Sequence, residues 1–322
     1  MFGLTFLTAT SKTTTHRVVP FRMGKLSASV AGYAAGGQDS GGNISGIDKV
    51  AFPADTKSTL SATLTTARYG GAGFANSGVA GYMAGGDDGG YVSGIDKVSF
   101  PADTKTTLSA TLTSVRYHPT GFANSGVAGY AAGGNDGVTN FSNIDKVSFP
   151  ADTKTTLSAT LTTARNSLTG FANSGVAGYA AGGEDSANIS GIDKVSFPAD
   201  TKTTLSATLT TARRTAGGFA NSGVAGYVAG GFDSGRISGI DKVSFSADTK
   251  TTLSATLTSA RLGPTGFANS GVAGYVAGGN DSGGRISGID KVSFPADSKT
   301  TLSATLTTGR IYAAGFADSG TL

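Results

Sequence analysis

GFANSGVAGYMAGG, Gly73 to Gly86, runs on into VSGIDKVSF (Val92 to Phe100), PADTK (Pro101 to Lys105) and TTLSATLTSVR (Thr106 to Arg116). Nearly the same words recur along the chain. The Gly-Gly pair marks the beat, at Gly36-Gly37, Gly85-Gly86, Gly133-Gly134, Gly182-Gly183, Gly230-Gly231 and Gly278-Gly279. Successive pairs lie 49, 48, 49, 48 and 48 residues apart. A period of this length with strand patterns inside it reads as a propeller blade. Leucine-rich and β-helix repeats are much shorter, and the 3.6-residue periodicity of helical repeats is absent.

Each unit reads as four strands. GFANSG is strand a, a short apolar segment ending in a polar turn. VAGYMAGG is strand b, whose small residues let neighbouring sheets approach while Val79 and Tyr82 fill the space between them. VSGIDKVSF is strand c, with Val98 and Phe100 on one face and Lys97 and Ser99 on the other. In the turn FPADTK, Pro101 presets φ and Asp103 is expected to bond its own backbone. TTLSATLTS is strand d, where Leu108, Ala110 and Leu112 alternate with Thr and Ser as in a half-exposed outer strand. The sequence therefore predicts an all-β, six-bladed propeller with four antiparallel strands per blade. No blade can fold alone, because each must bury both faces against its neighbours.

The ends bear on closure. GFADSGTL, Gly315 to Leu322, copies strand a and stops where strand b would begin. The first well-formed element at the other end is strand b, Val30 to Gly37. A 3+1 closure follows, with 315–322 completing the first blade, 30–322 forming the propeller and 1–29 left as an N-terminal extension. The alternative is seven blades, with GLTFLTATSKTTTHR (Gly3 to Arg17) supplying two strands of the extra one.

Of the 25 Lys and Arg, four (Lys12, Arg17, Arg22 and Lys25) lie in the first 30 residues, which hold no acid; 21 remain against 21 acidic residues. The repeat body is thus neutral, which argues against nucleic acid as a partner. The basic extension is read either as a solvated tail or as a contact for phosphate, lipid headgroups or an acidic protein. No run approaches the ~18 apolar residues of a membrane span. The start is a poor secretory signal. With no cysteine, disulfides and thiolate sites are excluded. His16 and His118 sit in unlike segments, no metal-ligand spacing occurs, and neither GxxxxGK[ST] nor GxSxG is present. The expectation is a non-enzyme with no cofactor and no metal.

A Tyr-containing strand before Gly-Gly, a variable loop, a strand ending near an aromatic, a Pro-Asp-Thr turn, an outer strand and a closing Arg together resemble a kelch motif. GYVAGG (Gly226 to Gly231), then IDKVSFSADT and Arg261, shows the order. The resemblance extends from about Val30 onward and departs in one respect: kelch outer strands usually carry Trp, and this chain has none. Leu108 and Leu112 take over that packing. The wording GYxAGG, xIDK and Leu-Ser-x-x-Leu also resembles repeats in tail-associated structural proteins of bacteriophages, cyanophages especially. That resemblance implies a place on the virion or its tail. The partners it implies are a host-surface receptor or other virion proteins, and it accommodates a homo-oligomer within a larger assembly.

Two segments per repeat vary. One follows the closing Arg, beginning at Tyr69, Tyr117, Asn166, Arg214, Leu262 and Ile311; the other follows Gly-Gly. In a four-stranded blade both connections emerge on one face, while the constant NSG and PADTKT turns emerge on the other. One-sided variation suggests a recognition face; the competing reading is that PADTKT is held by its own turn geometry. Candidate ligand-binding residues on the variable face are Asp39, Tyr69, Asp88, Tyr91, Tyr117, His118, Asp136, Asn166, Asp185, Arg214, Asp233, Arg236, Asp281, Arg285 and Tyr312. The six loop aspartates are read as turn caps or as ligands for Ca²⁺ or sugar hydroxyls. Gly36, Gly37, Gly85 and Gly86 are structural. So are the closing arginines Arg68, Arg116, Arg165, Arg213, Arg261 and Arg310, expected to bond backbone carbonyls between blades. Three functional expectations follow: a recognition propeller of a phage particle, an assembly component docked through residues 1–29, and an intracellular kelch-like adaptor.

Overall fold

Period-two alternation between turn signals makes each unit a small antiparallel sheet, and the computed structural model contains six of them, describing residues 30–318. In the second blade strand a is Ala72–Asn76, b is Ala80–Asp87, c is Tyr91–Ser99 and d is Thr104–Thr107. They pair in chain order, with Phe74 opposite Tyr82, Tyr82 opposite Lys97 and Lys97 opposite Thr106. The same row recurs in the third blade as Phe122, Tyr130, Lys146 and Thr155. In the first blade the innermost strand is Ala314–Ala317, which pairs antiparallel with Ala31–Ala35 and sets Phe316 opposite Tyr33. The ring closes on six blades, not seven: the sixth packs directly on the first, with Lys291 bonded to Asp55. Residues 1–29 and 319–322, including the basic extension and the segment considered for a seventh blade, lie outside the described residues.

The core sits between blades. Phe74, Tyr82, Ile95 and Leu112 of the second blade form one buried cluster with Ala123, Ala131, Val147 and Phe149 of the third. Tyr82 stacks between Phe74 and Phe149, with centroids 5.1 and 5.2 Å away. The glycine of GYxAGG makes room for this: a Cβ on Gly129 would lie 2.0 Å from the Phe74 ring.

Three local expectations need correction. Val79 does not fill the core; it is 46% exposed, because strand b begins one residue later and Val79 belongs to the turn. Strand d is only three or four residues long in five blades, and eight only at Thr153–Thr160. Beyond Thr107 the chain bulges: Leu108 N–H donates to Ile95 and Leu112 N–H to Ser93. Four residues of d thus cover two of c, and the intervening Thr and Ser loop outward. Finally, the Asp103 carboxylate is not used on its own turn. It accepts from Tyr33 Oη at 2.8 Å and Lys49 Nζ at 2.6 Å, both in the preceding blade.

That clasp repeats at every boundary. Tyr82 and Lys97 bond Asp152, Tyr130 and Lys146 bond Asp200, Tyr179 and Lys194 bond Asp248, Tyr227 and Lys242 bond Asp297, and Tyr275 and Lys291 bond Asp55. The six aspartates all sit in the left-handed region, with φ between 52° and 54°. Asp tolerates that conformation when its short side chain gains hydrogen bonds.

An alkaline limit follows. Burial first, and then the carboxylate it donates to, raises the pKa of each clasp tyrosine far above its usual range. Tyr179 shifts the same way for the same two causes. A raised folded pKa gives stability that is complete below the unfolded value near 10 and is lost as pH rises beyond it, by about 1.4 kcal/mol per pH unit for each tyrosine. The six should ionise together with unfolding, as a single steep step in tyrosinate absorbance above pH 10 that coincides with loss of β-sheet circular dichroism. Separate, gradual titration of the core tyrosines in a folded protein would contradict the clasp.

Candidate functional site

The closing arginines lie inside the ring. Arg116 and Asp145 of the next blade pair at 3.2 Å with both side chains fully buried. Equivalent pairs join Arg68 to Asp96, Arg165 to Asp193, Arg213 to Asp241, Arg261 to Asp290 and Arg310 to Asp48. The guanidinium also donates to a carbonyl of that blade, as Arg68 to Met83 and Arg116 to Gly133. The aspartate of the IDK segment, not singled out in the sequence, is the hub: Asp96 accepts from Thr65 N–H, Thr65 Oγ1 and Thr107 Oγ1 at 2.6–2.9 Å. A charge buried this deeply needs such company. The Gly-Gly pair serves the same joint. Gly85 has φ +72°, and a Cβ there would lie 2.7 Å from the carbonyl of Arg116, the oxygen that accepts from Gly86 N–H.

On the variable face the two variable segments meet. Tyr69 bridges Asp87, Tyr117 bridges Asn135, Asn166 bridges Glu184, Arg214 bridges Phe232, Leu262 bridges Asn280 and Ile311 bridges Gln38. The residue after each of these first residues enters a second ring, drawn tight around the axis. His118 N–H donates to Gly70, Ser167 to His118, Thr215 to Ser167, Gly263 to Thr215, Tyr312 to Gly263, and Gly70 to Tyr312, all within 2.8–3.0 Å. Every member has a positive φ, from 53° to 66°. Inside this ring lies a funnel of about 100 Å³, lined by the ring residues and the starts of the six a strands.

Several candidate residues converge beside the funnel. Tyr117 stacks on Tyr91 at 5.6 Å and meets Tyr69 edge-on at 5.2 Å. His118 lies 3.7 Å from Tyr117 and 4.4 Å from Tyr312, and Tyr312 stacks on Tyr69 at 6.1 Å. These five rings come from three blades and are all partly exposed. Burial raises the phenol pKa values of Tyr69 and Tyr312. Burial, with the charge of Arg214 second, pushes His118 down to about 3, so its imidazole is neutral at ordinary pH.

The other candidates do not converge. Asp39, Asp136 and Asp281 accept from N–H groups of their own loops. In the second blade Asp87, not Asp88, caps the loop, accepting from Gly89 N–H. Asp185 and Asp233 each accept from an asparagine of the preceding blade. Among the described residues no three His, Asp or Glu come together to hold a metal. Arg236 and Arg285 reach the next blade, Arg236 to Asn280 and Arg285 to Gln38 and Asp39. Asn166 bonds Asn140, and Arg214 pairs with Glu184.

The clasp also changes the weight of the one-sided variation. PADTKT is constant because its aspartate joins two blades, so its constancy needs no appeal to function. The aromatic cluster is what remains as a functional signal. No helix of the described residues is long and apolar enough to cross a membrane. No protein-family model matches the chain, and no curated protein matches it significantly.

Proposed function

We propose that the chain is a non-enzymatic recognition propeller of a bacteriophage particle, carried on the virion or its tail, which presents its variable face to a host-surface receptor of glycan chemistry. The observation that carries recognition is the cluster of Tyr69, Tyr91, Tyr117, His118 and Tyr312. A partly exposed set of five aromatic rings, rich in tyrosine, is the composition of a binding hot spot. The phage context rests on the resemblance of the repeats. Tyr69→Ser with Tyr117→Ser is expected to lower binding to host cells and to a glycan array by at least about tenfold, with the melting temperature little changed. A wild-type protein that binds neither, or a variant that binds as well as wild type, defeats the reading.

A second reading, assembly within the particle, is favoured by the opposite face. There Val79, Val127, Val176, Val224 and Val272 form a ring, each 45–51% exposed. Deleting residues 1–29 separates the two: loss of assembly with receptor binding intact supports docking through the extension.

A further inference from the structure

The axial ring asks for glycine. Its six positions are left-handed, and in two blades Gly70 and Gly263 meet that demand without strain. The other four hold His118, Ser167, Thr215 and Tyr312, at φ 53°, 58°, 53° and 57°. Side chains are disfavoured there, a β-branched threonine most of all. The clasp aspartates occupy the same region and are compensated by two hydrogen bonds each. Of the axial residues only Ser167 has such a bond, its hydroxyl donating to Asn166 Oδ1. The Thr215 hydroxyl is buried without a partner, and His118 and Tyr312 spend their rings on a half-open cluster. The backbone ring accounts for the conformation, which glycine would meet as well; it does not account for side chains at four of the six positions around one small funnel, and that marks a place where they are kept for something else.

We infer, resting on the recognition reading above, that the funnel binds the edge of one neutral pyranose ring, a terminal sugar of the receptor. Size sets the first limit. About 100 Å³ is room for several waters, each needing about 10–15 Å³ of open space, enough to admit a hydroxymethyl group or a ring edge. Charge sets the second. The nearby Arg214 is neutralised by Glu184, both terminal nitrogens of Arg285 are spent on Asp39 and Gln38, and His118 is uncharged, so no guanidinium is free to turn toward an anionic sugar. Surface chemistry sets the third. Tyr312 and His118 line the funnel, with Tyr69 stacked on Tyr312 and Tyr117 packed on His118 beside it, and the negative quadrupole of a phenol ring suits the C–H face of a pyranose. The neutral imidazole can donate and accept, and Thr215 supplies a hydroxyl after a χ1 step, since it is sealed as it stands.

The repeats themselves supply the test variants. His118→Gly turns Tyr117-His118-Pro119 into the Gly-Pro form already present at Gly263-Pro264, and Tyr312→Gly copies Gly70. Both should keep the ring and fold as wild type does. The probes are the methyl glycosides of glucose, galactose, mannose and N-acetylglucosamine, with that of sialic acid as the acidic comparison. Binding is read by saturation-transfer NMR and by tyrosine fluorescence, clean here because the chain has no Trp. The expected result is that at least one neutral glycoside binds, and that each variant weakens it by at least about tenfold while melting within a few degrees of wild type. No binding of any neutral glycoside, binding of the acidic one alone, or unchanged binding in both variants overturns the inference. Cell binding without glycoside binding would sink the sugar site alone; glycoside binding without cell binding would sink the receptor reading alone.

Discussion

Asp96→Ala is expected to destabilise the protein by about 3–5 kcal/mol, the usual consequence of leaving one partner of a buried ion pair alone. Arg68 would keep its charge at 4% side-chain exposure, where burial already pulls its pKa down against the opposing pull of Asp96. Thr65 N–H and Oγ1 and Thr107 Oγ1 would lose their acceptor together. Because Thr65 belongs to the first blade and Asp96 to the second, the damage falls on a blade boundary. Arg68→Met should be milder, since Asp96 keeps its three threonine hydrogen bonds. The pH dependence has a definite sign. Burial, the largest influence, opposes ionisation of Asp96; the Thr65 bonds, the Arg68 charge and the Thr107 bond outweigh it and hold the group below the usual carboxylate range. Asp48 and Asp290 are lowered in the same way. A depressed folded pKa gives stability that is present above the unfolded value near 4 and is lost as pH falls through the folded one. The gap between wild type and Asp96→Ala in urea midpoint should therefore be widest at neutral pH and close as pH drops below about 4. A variant within about 1 kcal/mol of wild type at pH 7 would place Asp96 among ordinary surface carboxylates.

What the sequence disclosed followed chain distance. The period, the four strands and the face of Val98 and Phe100 are local patterns, and the blades bear them out. The partners of Asp96 and Asp103 are not local. Tyr33 lies 70 residues from Asp103, so each residue has a sensible local reading, core for the tyrosine and turn for the aspartate, that hides the bond between them. Val79 differs from its expected place because the strand boundary falls one residue later, at Ala80, which leaves Val79 in the turn and half exposed. The loop aspartates share a column in the repeats, yet a six-fold ring sets its members apart around the axis, so likeness of position did not become convergence. The aromatic cluster was legible as a set of variable residues but not as a cluster. One clue to the axial ring was available in the sequence: a column reading Gly70, His118, Ser167, Thr215, Gly263, Tyr312 mixes glycine with residues that avoid its conformation.

Gly121→Ala, like the same change at its five axial counterparts, is expected to be among the most disruptive single methyls in the molecule. Around the axis Gly73, Gly121, Gly170, Gly218, Gly266 and Gly315 face one another blade to blade. A Cβ on Gly121 would lie 2.0 Å from the carbonyl oxygen of Gly73, and the other five positions give 2.0–2.1 Å to their own neighbours. These are clashes with backbone, so no rotamer relieves them, in contrast with Gly129, whose obstacle is the Phe74 ring. Relief requires two inner strands to part. In a closed ring that displacement passes to the next boundary and the next, because every blade is already in contact on both sides. Overpacking of a core costs about 1–3 kcal/mol, and an obstacle that cannot rotate belongs at or beyond the upper end. Gly288→Ala is the matched control, since a Cβ there meets nothing within 4 Å, and it should leave the melting temperature unchanged. The same substitution also probes the funnel, whose floor the six glycines form. If Gly121→Ala folds by spreading the inner strands, the axial hydrogen-bonded ring above it must widen, and any sugar held there should be released more readily than stability alone would explain. A Gly121→Ala protein as stable as the Gly288→Ala control would mean that the inner strands have slack, and that the narrowness of the axis is not what holds the side chains of His118 and Tyr312 in place.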